Sequence, residues 1–123
     1  MEKKYSTVSS QEKVAKIIEW LEDKKAKDVV VLDLEGENAF TDAVVIATAK
    51  SERQGKALAD EVSMRAKKEN YEHMRVEGKD NAQWILIDLN DVVVNIFQDE
   101  VRDTFNLEGL WADAKVLYKS EAE

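Results

Sequence analysis

The chain has 123 residues, of which 44% are hydrophobic and 36% charged, with no cysteine, no proline and a formal net charge of −8. This length suits one domain around one sizeable core, and no apolar run approaches the roughly 20 residues that span a bilayer. The missing cysteines exclude a disulfide framework, a thiol nucleophile, a Cys-ligated zinc site and an iron–sulfur cluster. The acidity disfavours broad binding to phosphate backbones and leaves open a basic protein partner.

The opening MEKKYSTVSS lacks the apolar core of a signal peptide, so the cytoplasm is the expected compartment. Residues 1–8 and 119–123 are expected to be loose termini of a single domain covering 1–123. Ser9 with Glu12 forms a capping box, and Val14, Ile17, Ile18 and Leu21 follow at helical spacing. They predict a helix from Gln11 to Lys25, with Trp20 off the centre of the stripe and expected to be partly exposed. Val29 to Leu34, VVVLDL, reads as a buried strand ended by Glu35-Gly36, and Ala43 to Thr48 as a second. A second capping box, Ser51 with Gln54, opens a helix from Glu52 to Glu69, where Arg65, Lys67 and Lys68 suit the negative end of the dipole. Tyr71 to Val76 reads as a short charged strand near an edge, followed by a polar loop containing Gly78. Beyond the next hairpin, Glu100 to Phe105 suggests a short helix and Leu107 to Trp111 a further turn.

The hairpin WILIDLNDVVVNIF, Trp84 to Phe97, carries the most information. Asn90-Asp91 tolerates the positive φ of a tight turn, and a two-residue loop sets the register. Leu89 then faces Val92, Asp88 faces Val93, Ile87 faces Val94, Leu86 faces Asn95, Ile85 faces Ile96 and Trp84 faces Phe97. Because side chains alternate between faces, Ile85, Ile87, Leu89, Val92, Val94 and Ile96 form one aliphatic face, which reads as core. The other face carries Trp84, Leu86, Asp88, Val93, Asn95 and Phe97. Its mixture of aromatics, an amide and a carboxylate suits a surface that is wet alone and covered by a partner. The element order gives an α/β fold with a mixed sheet of about five strands. Two long helices cover one sheet face but hardly both, unless a short C-terminal helix folds back over the second.

The catalytic inventory is thin. His73 is the single histidine, in a polar context that supplies no triad or metal partners nearby. There is no GxGxxG, Walker loop, HExxH or GxSxG, and no cofactor or metal site is expected. Asp42, Ser51 and Asp88 leave open a residual nucleotide site, with carboxylates for magnesium and a helix start for phosphate. The plainer reading makes Asp42 and Asp91 turn residues and Ser51 an N-cap.

The ordered set Thr41-Asp42, Val45–Thr48, Ser51, Arg53-Gln54, Ala59-Asp60, Glu77-Gly78, Trp84–Leu89, Asp91–Val94, Ile96-Phe97, Arg102, Leu107-Glu108 and Leu110-Trp111 resembles the ribosomal silencing factor, or Iojap, family. The resemblance covers Val29 to Ala114. It implies a fold related to nucleotidyltransferases without that activity. It also implies binding to the large ribosomal subunit through its conserved protein fourteen, at the face that meets the small subunit, and repression by blocking subunit joining. The binding surface it implies is the hairpin face, so Trp84, Leu86, Asp88, Asp91, Val93, Asn95, Phe97 and Arg102 are the expected partner-binding residues. No membrane contact and no base-specific nucleic-acid readout is expected; a homodimer through the same face is a further possibility. Where the family usually has histidine and tyrosine, this chain has Asn95 and Phe105. Asn95 keeps hydrogen-bonding capacity without a titratable charge, and Phe105 keeps only the ring.

Overall fold

A computed structural model of the chain describes residues 8–35, 41–73 and 75–120. The expected loose segments 1–7 and 121–123, and Gly36 of the expected turn, lie outside the described residues. Val8 packs against the core, and Lys119 belongs to a strand.

Helix α1 spans Ser10–Asp23 and helix α2 Glu52–Lys68. Both start where the capping boxes place them: the Ser9 hydroxyl accepts the N–H of Glu12, and the Ser51 hydroxyl accepts that of Gln54. Strands β1 (Lys27–Asp33), β2 (Ala43–Ala49), β3 (Arg75–Glu77), β4 (Trp84–Asp88), β5 (Val92–Gln98) and β6 (Lys115–Lys119) form one sheet in the order β3-β4-β5-β2-β1-β6. Only the central pair β2 and β5 is parallel; the other neighbours are antiparallel. Short helices α3 (Asp99–Phe105) and α4 (Leu107–Leu110) follow β5.

The hairpin has the expected register, from Trp84 opposite Phe97 to Asp88 opposite Val93. At the turn only Asn90 takes a positive φ, 74°, and the Asp91 N–H reaches back to the Leu89 carbonyl at 3.1 Å. That is the geometry of a γ-turn centred on Asn90. The aliphatic face is core: Ile85, Ile87, Leu89, Val92, Val94 and Ile96 are each at most 1% exposed. They pack with Val29, Val31, Val45, Leu58 and Val62 beneath α1 and α2. Burying each such side chain contributes about 1.5–3 kcal/mol, which penalises any one-residue slip of the hairpin.

Three sequence expectations are corrected. Trp20 is buried, 3% exposed, because its ring packs 6.0 Å from that of Tyr71. The strand expected over Tyr71 to Val76 is confined to Arg75–Glu77, since Asn70 takes φ 61° and Tyr71 turns into the core. The sheet has a sixth strand, β6, which runs antiparallel along β1.

The second sheet face is also partly covered. Val30, Leu32, Leu34, Val44, Ile46 and Phe97 form a smaller core, against which Trp84, Val101, Leu107, Trp111 and Ala114 pack. The short helices therefore do fold back, over β1, β2 and β5, and they leave the β3-β4 side of that face uncovered.

Candidate docking face

The six residues of the mixed hairpin face separate into two groups. Val93, Asn95 and Phe97 on β5 are buried, whereas Trp84, Leu86 and Asp88 on the outer strand β4 are half-buried. The expectation that this face lies open is thus corrected for its β5 half, because α3 packs over the central strands. Phe97, at 0% exposure, is a floor for the face rather than part of its surface.

Trp84 sits on that floor in a fixed orientation. Its ring stacks on Phe97 with centroids 5.1 Å apart, and Phe105 of α3 leans against it at 4.7 Å. Its indole N–H donates to Asn95 Oδ1 at 2.9 Å, and Asn95 Nδ2 in turn reaches the Val45 carbonyl at 3.4 Å. Phe105 is 50% exposed, an unusual position for a large ring that the sequence patterning did not single out. Its signals in the sequence were its place at the end of a short helix and the tyrosine that the family usually has there. Leu86 and Asp88 continue the surface along β4, and Glu77 and Arg75 of β3 stand opposite them. Arg75 lies 3.1 Å from Glu77 and 3.8 Å from Asp88, so the apolar patch has a rim of exchangeable, exposed ion pairs.

Gly78 supports the patch from behind. It takes φ +86°, and a Cβ there would lie 2.0 Å from the Trp84 carbonyl oxygen. Only glycine lets the β3-β4 connection approach Trp84 this closely.

Other expected site residues have structural duties. Asp88 Oδ1 caps the turn by accepting the Asn90 N–H at 2.9 Å. Asp91 Oδ1 accepts from Lys13 Nζ at 2.6 Å, tying the hairpin turn to α1. Arg102 is a clamp: Nη1 donates to the Asp28 carbonyl (2.6 Å) and to Thr48 Oγ1 (2.7 Å), and Nε to Glu108 (3.0 Å). It holds α3 and α4 against β1 and β2. His73 is half-buried, with Nε2 3.4 Å from Ser63 Oγ. Burial, and then the charge of Lys67, hold its pKa below the ordinary value.

The residues of the alternative nucleotide site do not meet. Asp42 precedes β2 and Ser51 follows it, so a seven-residue strand, roughly 23 Å at 3.3 Å per residue, separates them. Asp88 lies at the Asp42 end, because Asp88 pairs with Val93 and Val93 with Val44. Ser51 is already occupied as an N-cap. Among the described residues no cluster of three or more carboxylate or histidine side chains is placed to hold a metal ion, and no helix is long and apolar enough to cross a membrane.

A family model described as "Ribosomal silencing factor during starvation" matches residues 7–123. The ribosomal silencing factor of Halalkalibacterium halodurans is 40% identical over 110 residues, covering 89% of this chain and 94% of that protein. That of Bacillus subtilis is 40% identical over 93 residues, 76% of this chain and 79% of that one. An Iojap-related mitochondrial protein of Arabidopsis thaliana is 34% identical over 97 residues, covering 75% of this chain and 52% of its own length. A crystal structure of a Chromobacterium violaceum protein superposes with a TM-score of 0.83 at 33% identity, covering 94% of this chain and 95% of the other. The chain belongs to the ribosomal silencing factor family, whose members are ribosome-binding regulators of translation and not enzymes.

Proposed function

We propose that this chain docks on the conserved protein fourteen of the large ribosomal subunit, at the face that meets the small subunit, and represses translation by occupying that interface. The observation that carries this reading is the Trp84 patch: an indole oriented by Asn95, floored by Phe97 and flanked by an exposed Phe105. Such an anchor is pre-organised, so little side-chain entropy is lost when a partner covers it. Leu86 extends the apolar contact, and the Asp88, Arg75 and Glu77 rim orients a charged partner and raises the association rate. Repression then follows from volume, since a bound domain excludes the small subunit from the same face. Phe97 and Asn95 contribute from beneath by fixing Trp84, Val93 lies beneath the Asp88 end of the face, and Arg102 fixes the helix that carries Phe105.

Desolvated aromatic anchors commonly lose about 2 kcal/mol or more on truncation, roughly 30-fold in affinity. Co-sedimentation with purified large subunits tests the assignment. Trp84→Ala is expected to lose pelleting under conditions where wild type pellets stoichiometrically, with an unchanged circular dichroism spectrum. Undiminished pelleting of folded Trp84→Ala would exclude this face as the anchor.

A further inference from the structure

An acidic protein that binds a ribosome must approach a surface made largely of phosphate. With a net charge of −8, this chain should be repelled by it. The fold contains a local answer. Lys24, Lys25 and Lys27 lie at the junction of α1 and β1, and Lys50 and Arg53 at the junction of β2 and α2; all five are exposed. These segments are far apart in sequence and are joined by the β1–β2 pairing and by the Gln54 side chain. Gln54 Nε2 donates to the carbonyls of Lys24 (3.3 Å) and Lys25 (3.2 Å), while Gln54 Oε1 accepts the Lys50 N–H (2.6 Å). Lys24 lies 4.0 Å from Glu61, whereas Lys25, Lys27, Lys50 and Arg53 have no carboxylate within ion-pair distance among the described residues.

The patch lies at the same end of the sheet as Trp84, on the far side of α3. The sheet register sets Lys27 beside Thr48, Thr48 beside Phe97, and Phe97 beside Trp84. Three interstrand steps of about 4.8 Å place Lys27 roughly 14 Å from Trp84, well inside the width of one interface. Negative charge borders the basic residues: Asp28 and Glu52 lie among them, and Asp99 and Asp103 of α3 line one pocket with Asp28 and Thr48.

We propose that Lys25, Lys27, Lys50 and Arg53 form a second contact, taken up by the phosphate backbone of ribosomal RNA next to the protein that receives Trp84. This rests on the docking reading above and divides the labour: the aromatic and acidic side meets protein, and the basic end meets RNA. The contact is to phosphate alone and reads no bases.

The test measures binding of the whole chain to large subunits across a salt series. Each phosphate contact contributes about 0.7–0.9 to the slope of log affinity against log salt. The combined variant Lys25→Gln, Lys27→Gln, Lys50→Gln, Arg53→Gln is expected to bind about 10- to 100-fold more weakly at low salt, with a slope reduced by about 3. Trp84→Ala should weaken binding at every salt concentration and keep the wild-type slope. Lys67→Gln with Lys68→Gln, at the far end of α2, should change neither. Toward isolated protein fourteen, the patch variant should bind like wild type. Wild-type affinity and slope for the patch variant, with Trp84→Ala still defective, would overturn the RNA contact alone. Equal losses toward isolated protein fourteen would reassign the patch to protein. Absence of wild-type binding to the large subunit would overturn the docking reading and this contact with it.

Discussion

Asp91→Ala should destabilise the protein by about 2–3 kcal/mol, chiefly through what it leaves behind. The Lys13 side chain is 6% exposed, its partner carboxylate lies 2.6 Å from the ammonium, and the ammonium also sits over the Tyr71 ring, 5.3 Å from its centroid. Breaking a fully buried pair costs roughly 3–5 kcal/mol, because an uncompensated charge stays in the interior. Asp91 is itself 26% exposed, so water can replace part of its carboxylate, and the expected cost falls below that range. For a domain of this size the loss corresponds to about 8–12 °C in Tm. Urea unfolding measures the free energy directly, provided that the m-value stays unchanged. The double variant Lys13→Met, Asp91→Ala removes both charges and should recover most of the loss. A change below about 0.5 kcal/mol for Asp91→Ala, or a double variant as unstable as the single, would refute the idea that this pair holds α1 to the hairpin turn.

Three further expectations follow from the same geometry. Gly78→Ala combines a φ of +86° with a Cβ placed 2.0 Å from the Trp84 carbonyl oxygen, so it should cost at least about 2 kcal/mol and perturb tryptophan fluorescence; wild-type stability in a melt would contradict this. Asn95→Leu strands the indole N–H of half-buried Trp84, which should cost about 1 kcal/mol and weaken ribosome pelleting, as an unfolding curve and a pelleting assay on the same sample would show. His73 is neutral in both states above its ordinary pKa of 6.5, and below it the unfolded ring binds a proton first because the folded pKa is depressed. Its contribution to stability is therefore lost as pH falls below 6.5, and Tm measured from pH 7.5 to 5.5 should fall less steeply for His73→Gln than for wild type.

What could be read from the sequence had local causes. The hairpin register followed from strict alternation around Asn90-Asp91, and both main helices began at capping boxes whose hydrogen bonds close within three residues. The strand β6 was missed because Lys115–Lys119 is an exposed edge with Lys at both ends, so burial imposes no two-residue pattern on it. The cover over the second face was left open because α3 and α4 have no fully buried residue, and each binds through a few half-buried side chains. The duties of Asp91 and Arg102 were hidden for a different reason. Their partners, Lys13 and the Asp28 carbonyl, lie 78 and 74 positions away, and only the completed sheet brings them together. For the docking face, Trp84 and Leu86 were legible from alternation. The burial of Phe97 and the exposure of Phe105 depend on where α3 crosses the sheet.

The central claim is occlusion of the subunit interface, and a joining titration tests it most directly. Purified large and small subunits are mixed with increasing protein, and the joined fraction is read by sedimentation. The account predicts that joining falls as binding sites on the large subunit fill, reaching near completion at stoichiometric occupancy, and that Trp84→Ala needs about 30-fold more protein. Large subunits saturated with the protein that still join small subunits at the unbound rate and extent would contradict it.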